Sequence, residues 1–240
     1  MALLLFILLG TSAQAADLAL VYSGAGTCAK GCAEAAALMA VRAGFEVKLV
    51  GGEPLAPELW ARAKVWIQPG GRVEAQAQAM SEDLKKQIKG FVKRGGGFVG
   101  FCAGAFFAAE SFGWRLKDGS VFERAGLGLL PFKGRLFAPK RSRAEVLPIF
   151  DRGRERYVYW ELGSYYQRRE IPAQAELLSS YDREGEHVAA LRAEFGEGRV
   201  SVSGYHPEAP NFWRQMFSLK DPDGLDFHEA EEMIRWAADR

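Results

Sequence analysis

Several signatures that would assign this chain at sight are missing from its 240 residues. It has only three histidines and three cysteines. No second ligand pair accompanies the closely spaced Cys28 and Cys32, so a structural zinc site is not expected. His228-Glu229-Ala230-Glu231-Glu232 fails the H-E-x-x-H metalloprotease pattern, because Glu232 stands where the second histidine belongs. The glycine turn Ser23-Gly24-Ala25-Gly26-Thr27 lacks the G-x-G-x-x-G spacing of a dinucleotide fingerprint. No cofactor is therefore expected. Charge of one sign is lacking too. The 31 Lys and Arg against 30 Asp and Glu leave a net charge of +1, which gathers neither nucleic acid nor an anionic membrane. There is no repeat and no low-complexity tract.

One apolar run stands out, Ala2 to Leu9, and it is too short to cross a bilayer. Ala13-Gln14-Ala15 follows as a small-x-small cleavage site. Residues 1–15 thus read as a secretory signal peptide cut after Ala15. No Lys or Arg precedes the run, so a start codon a little upstream is expected. Once the signal is cleaved, no stable membrane insertion is expected, and the mature protein is expected outside the cytoplasm, periplasmic or secreted. Residues 16–240 are enough for one large α/β domain with a full core. Nothing in the sequence sets the oligomeric state.

The stretch around which the chain is arranged is Gly95-Gly96-Gly97-Phe98-Val99-Gly100-Phe101-Cys102-Ala103-Gly104. Phe98 to Phe101 suits a buried parallel strand. Gly100 and Gly104 flank Cys102 at two residues on each side, the spacing of a nucleophile elbow with Cys in place of Ser. Small neighbours are needed because the nucleophile sits at a strained strand-to-helix corner. A helix starting near Ala103 would turn its N–H groups toward the sulfur and favour a thiolate. The alternative is a buried core cysteine beside a glycine-rich turn. In an oxidising compartment Cys28 and Cys32 can pair and leave Cys102 as the free thiol. Otherwise they are two small residues at a helix start.

Strand and helix signals alternate through the first hundred residues. Strands are expected at 17–22, 45–50, 65–67 and 98–101, with helices at 29–43 and 55–63 and one opened by Ser81. Leu84, Ile88, Phe91 and Val92 give that last helix its buried stripe, and Ser81 is its N-cap. This alternation argues for a mostly parallel sheet with helices on both faces. Trp114 to Tyr166 breaks it. Short β runs there (144–147, 157–160) read as an antiparallel extension. The basic residues Lys133, Arg135, Lys140, Arg141 and Arg143 read as solvated surface, with contact to an anionic substrate as the minority reading. The aromatics Trp114, Tyr157, Tyr159, Trp160, Tyr165 and Tyr166 read as core, or as the wall of a ligand groove. A hairpin (175–181, 188–195), a last strand (198–204) and two helices (211–218, 225–238) close the chain.

A cysteine nucleophile needs a base, and the base needs an orienter. His187 and His228 read as surface. His206 stands just past the last strand, stiffened by Pro207 and followed by Glu208. Its ring can take the thiol proton while the carboxylate holds the tautomer. Gln68-Pro69-Gly70-Gly71 ends the third strand, where open α/β sheets place their ligands, and its N–H groups could share an oxyanion with that of Ala103.

Pro69-Gly70-Gly71, Gly100-Phe101-Cys102-Ala103-Gly104 and His206-Pro207-Glu208, in that order, resemble the class I glutamine amidotransferase-like superfamily. The elbow through Phe107, and the opening Val21 to Thr27, are similar to the biotin-protein ligase N-terminal domain-like group. The resemblance implies a flavodoxin-like α/β sandwich over residues 16–240. It makes Cys102 the nucleophile, His206 the base and Glu208 the orienter of a catalytic triad. Gly70 and Gly71 with Ala103 would bind substrate and oxyanion. Glutaminases of this superfamily usually carry Gln two residues after the second elbow glycine, and Phe106 stands there. The expectation is therefore a hydrolase or transferase acting on a small amide, ester or peptide rather than a glutaminase. A catalytically inactive ligand-binding or scaffold domain on the same fold is the alternative, and a redox role for Cys102 a third reading.

Overall fold

The computed structural model describes residues 16–138 and 143–239. The expected signal peptide, and Lys140 and Arg141 of the basic segment, lie outside the described residues.

The first half winds a parallel sheet. In chain order it runs β1 (Leu18–Tyr22), α1 (Cys32–Arg42), β2 (Glu46–Val50), α2 (Pro57–Arg62), β3 (Ala63–Gln68), α3 (Val73–Ala79), α4 (Glu82–Lys93) and β4 (Gly97–Phe101). Residues alternate between the two faces of the sheet. Leu18, Leu20 and Tyr22 pack with Leu84, Ile88 and Val92 of α4 on one side. Ala19 and Val21 pack with Ala36, Met39 and Ala40 of α1 on the other. That two-residue period, matched to helical stripes on each side, drives the layering. The Ser81 hydroxyl accepts from the Leu84 N–H at 3.2 Å and caps α4. α1 starts at Cys32 rather than near residue 29. Gly31, in the left-handed region (φ 92°), stops the helix from reaching back. α3 went unmarked in the sequence, where its alanines and glutamines carry no apolar stripe.

After the elbow come α5 (Ala103–Ala108), β5 (Ala109–Arg115), β6 (Val121–Ala125), β7 (Leu130–Leu136), β8 (Ala144–Asp151), β9 (Arg154–Glu161) and β10 (Ser164–Gln167). The chain ends with β11 (Glu176–Ser180), β12 (His187–Phe195), β13 (Gly198–Ser203), α6 (Asn211–Met216) and α7 (Phe227–Ala238). β2, β1, β3, β4 and β13 lie side by side and parallel. β12 then turns the sheet antiparallel. One edge of β12 pairs first with β10 and then with β13, and its other edge pairs with β11, which leads on to β8 and β9. β10 leads through β7 to β5 and β6. α7 covers the same face as α1, through Ala230, Met233, Ile234 and Ala237.

The two branches meet at a backbone crossing. A methyl group on Gly163 would collide with the Gly204 carbonyl, and one on Gly204 with the Ser164 carbonyl. Only glycine allows this approach. It pins the turn after β9 against the segment that carries His206.

Of the aromatics with two readings, Tyr159, Trp160 and Tyr166 are core. Trp114 joins a ring cluster with Phe106, Phe112 and Phe122. Arg135 makes a two-pronged ion pair with Glu170, and Lys133 pairs with Glu123, so both are engaged at the surface.

Candidate active site

β1, β3, β4 and β13 all end at one rim of the sheet, and every residue singled out for chemistry sits there. β4 runs straight into Cys102, which holds φ 48° and ψ −101° and precedes α5. That is left-handed backbone for a residue other than glycine, a strain of about 1–3 kcal/mol that such corners carry. It is maintained from both sides. The Cys102 N–H donates to the Ser203 carbonyl at 2.8 Å, tying the corner to β13. Below it, a methyl on Gly104 would collide with the Gln68 carbonyl, so α5 sits directly against the end of β3. Cys102 is 4% exposed and is the free thiol among the described residues.

β13 delivers the partner. His206 donates its backbone N–H to the Tyr159 carbonyl at 2.9 Å, and its ring meets Trp213 edge-on at 5.3 Å. Its Nδ1 lies 2.8 Å from Glu208 Oε1, and the ring borders the same cavity as Cys102. His206 and Glu208 are fully enclosed. Burial alone would lower the imidazole's pKa. The Cys102 and Glu208 charges and hydrogen bonds outweigh it and push it up to about 10. Imidazole and carboxylate are thus joined, with the Cys102 sulfur bordering the same cavity.

Gly70 and Gly71 lie beside it. A methyl on Gly70 would collide with His206 Cε1 and reach 3.1 Å from Cys32 Sγ. Gly71, at φ 139°, bridges to Thr27. The turn is held by a buried amide chain that the sequence did not announce. Trp66 Nε1 donates to Gln68 Oε1 (2.9 Å), Gln68 Nε2 to Gln76 Oε1 (2.9 Å), and Gln76 Nε2 to the Gly70 carbonyl (3.1 Å). Spacing gives no warning of this, since the two glutamines sit on different elements.

A cavity of about 460 Å³ opens above the sulfur, walled by Gly71, Arg72, Lys30, Glu161, Leu162 and the Cys28–Cys32 pair. Cys28 and Cys32 are joined in a disulfide. Lys30, between them, pairs with Glu161, donates to the Tyr159 hydroxyl at 2.8 Å and lies 4.3 Å from the Trp213 ring centre. Arg143, from the basic segment, reaches the other Glu161 oxygen at 3.1 Å. Burial would raise the Glu161 pKa, but Lys30 and then His206 hold it below the usual range. The Cys102 S–H reaches the Glu161 carbonyl at 3.5 Å. Leu162 follows at φ 51° and 45% exposure.

Two histidines stand apart. His187 Nδ1 is 2.7 Å from Asp182 beside the hairpin turn, and His228 lies in the first turn of α7. Among the described residues no cluster of three His, Cys, Asp or Glu could hold a metal ion. No helix among them is long and apolar enough to cross a membrane.

The sheet order and the cysteine corner define a class I glutamine amidotransferase-like, flavodoxin-like fold. Solved structures agree. The chain is similar to a glutamine amidotransferase at TM-score 0.58 and 19% identity, covering 88% of this chain and 99% of that one. It is similar to PurLQS from Thermotoga maritima at TM-score 0.60 and 17% identity, covering 91% and 97%. Likeness at those identities speaks to the fold alone. The family is narrower. Residues 18–137 match the biotin-protein ligase N-terminal family, and the chain belongs to it. The biotin–protein ligase of Schizosaccharomyces pombe is 24% identical over 180 residues, which is 68% of this chain. The match spans only 28% of that ligase.

Proposed function

We propose that this is an exported hydrolase or transferase working through a Cys102 thioester on a small amide, ester or peptide. The observation that carries the reading is the buried His206, held by Glu208 at 2.8 Å and bordering the same cavity as Cys102. His206 takes the thiol proton through Nε2, and Glu208 steadies the imidazolium. The thiolate attacks the substrate carbonyl from the cavity side. The developing oxyanion lies between the N–H groups of Gly71 and Ala103. His206 then returns its proton to the departing amine or alcohol, leaving an acyl-Cys102 for water or a second nucleophile to take.

Glutamine is a poor candidate for the substrate. Phe106, at the position where glutaminases carry an amide, is buried and stacked edge-on against Phe112 and Trp114. It faces core rather than cavity. Export is proposed on the leader sequence, together with a disulfide of the kind that persists in oxidising compartments.

Iodoacetamide labelling of Cys102 tests the base. Replacing His206 by Ala should slow labelling by about two orders of magnitude, the usual share of a positioned general base. Equal rates in both proteins would remove the activated thiol. In that case the fold serves as a binding domain, and a Cys102→Ser variant would keep full biological activity.

A further inference from the structure

All three cysteines border one cavity. Cys28 and Cys32 form part of its wall, and Cys102 lies at its base beside His206. One backbone position, Gly70, separates Cys32 Sγ from the imidazole, since a methyl there would touch both. Cys32 is fully buried, whereas Cys28, outside α1, is half-buried and turned to the cavity. Of the two disulfide residues, Cys28 is thus the more accessible and Cys32 the one beside the imidazole.

We propose that Cys102 is an internal modification site, exchanging with the Cys28–Cys32 disulfide to form a Cys102–Cys28 bond. The Cys102 thiolate attacks Cys28 Sγ in line. The Cys102–Cys28 bond forms as the Cys28–Cys32 bond breaks, and the electron pair leaves on Cys32 Sγ. His206, holding the proton taken from Cys102, passes it to Cys32 across Gly70. No external oxidant or reductant is consumed, because one disulfide and one thiol give one disulfide and one thiol. In the exchanged state the nucleophile is capped. Lys30, whose two flanking cysteines are no longer joined, is freed from the short loop that holds it on Glu161. The exchange needs no substrate and no turnover, so it stands or falls apart from the acyl-transfer reading.

The sequence suits the test, because Lys30, Arg94 and Arg115 place the three cysteines on three different tryptic peptides. The purified full-length protein is held at pH 8 without reductant, quenched with excess N-ethylmaleimide, digested and mapped without reduction. The expected result is a linked Cys28–Cys102 peptide pair together with maleimide on Cys32. Both should fall at least tenfold in Cys102→Ser. A Cys32→Ser variant, exposed to oxidised glutathione, provides the second measurement and should close Cys28–Cys102 directly. The proposal is overturned if maleimide on Cys32 is equal in wild type and Cys102→Ser, or absent from both, and Cys32→Ser leaves Cys102 fully alkylatable.

Discussion

At the scale of single residues, the site rests on a charge arrangement that water would not support. His206 is enclosed, yet Cys102 and Glu208 hold it protonated. A pKa raised in the folded state means that the native protein binds the proton more tightly than the unfolded chain. The stability this supplies is complete below the ordinary histidine value of about 6.5. It is lost progressively as pH rises toward about 10. Urea midpoints measured from pH 6 to 10 should therefore decline, and decline less steeply in Cys102→Ser, where the Cys102 contribution to the imidazole is gone. Parallel curves for the two proteins would contradict the coupling. Cys102, Gly104, His206 and Glu208 were all legible in the sequence, because the elbow and the His-Pro-Glu turn are local patterns. Lys30 and Glu161 were not. They meet across 131 positions of chain, and neither has a neighbour that marks it.

At the scale of elements, α7 is held to the sheet by more than its apolar stripe. The Tyr205 hydroxyl, one residue before His206, donates to Glu229 of α7 and lies 3.1 Å from Ser179 Oγ of β11. Arg156 of β9 binds Asp226 at 2.8 Å and Glu229 at 3.4 Å. Burial raises Glu229 to about 6 against the pull of Tyr205 and Arg156. Tyr205→Phe should cost about 1–3 kcal/mol in urea unfolding, the penalty for stripping a donor from a buried acceptor. It should also raise the Glu229 pKa further, visible as weaker stability above pH 6 relative to wild type. The elements themselves were read unevenly. β1, β3, β4 and α4 show their period plainly, since each has one environment per face. β5 to β7 do not, because they are short, carry charges at their exposed positions and take their register from partners far away in sequence.

At the scale of the whole molecule, the parallel half and the mainly antiparallel extension, in which β5 and β7 run parallel, form one continuous network of paired strands, and the site lies where they join. The fold class was legible from strand–helix alternation. The branching at β12 was not, because nothing local tells a strand that its two edges will serve different partners. Compartment belongs to this scale too. If residues 1–15 direct export, protein recovered from the periplasm or medium should begin at Ala16 by intact mass and take up a single maleimide per chain until it is reduced. A product retaining Met1 in the cytoplasm would reject the leader.

The crossing of Gly163 and Gly204 also bears on how the protein can move. Main chain rests on main chain there, with no side chain between to slide or rotate. The turn after β9 is riveted there to the segment that carries His206, so the two stretches are held as one. Access to the cavity then falls to the residues that line it, Leu162 and Arg143 among them.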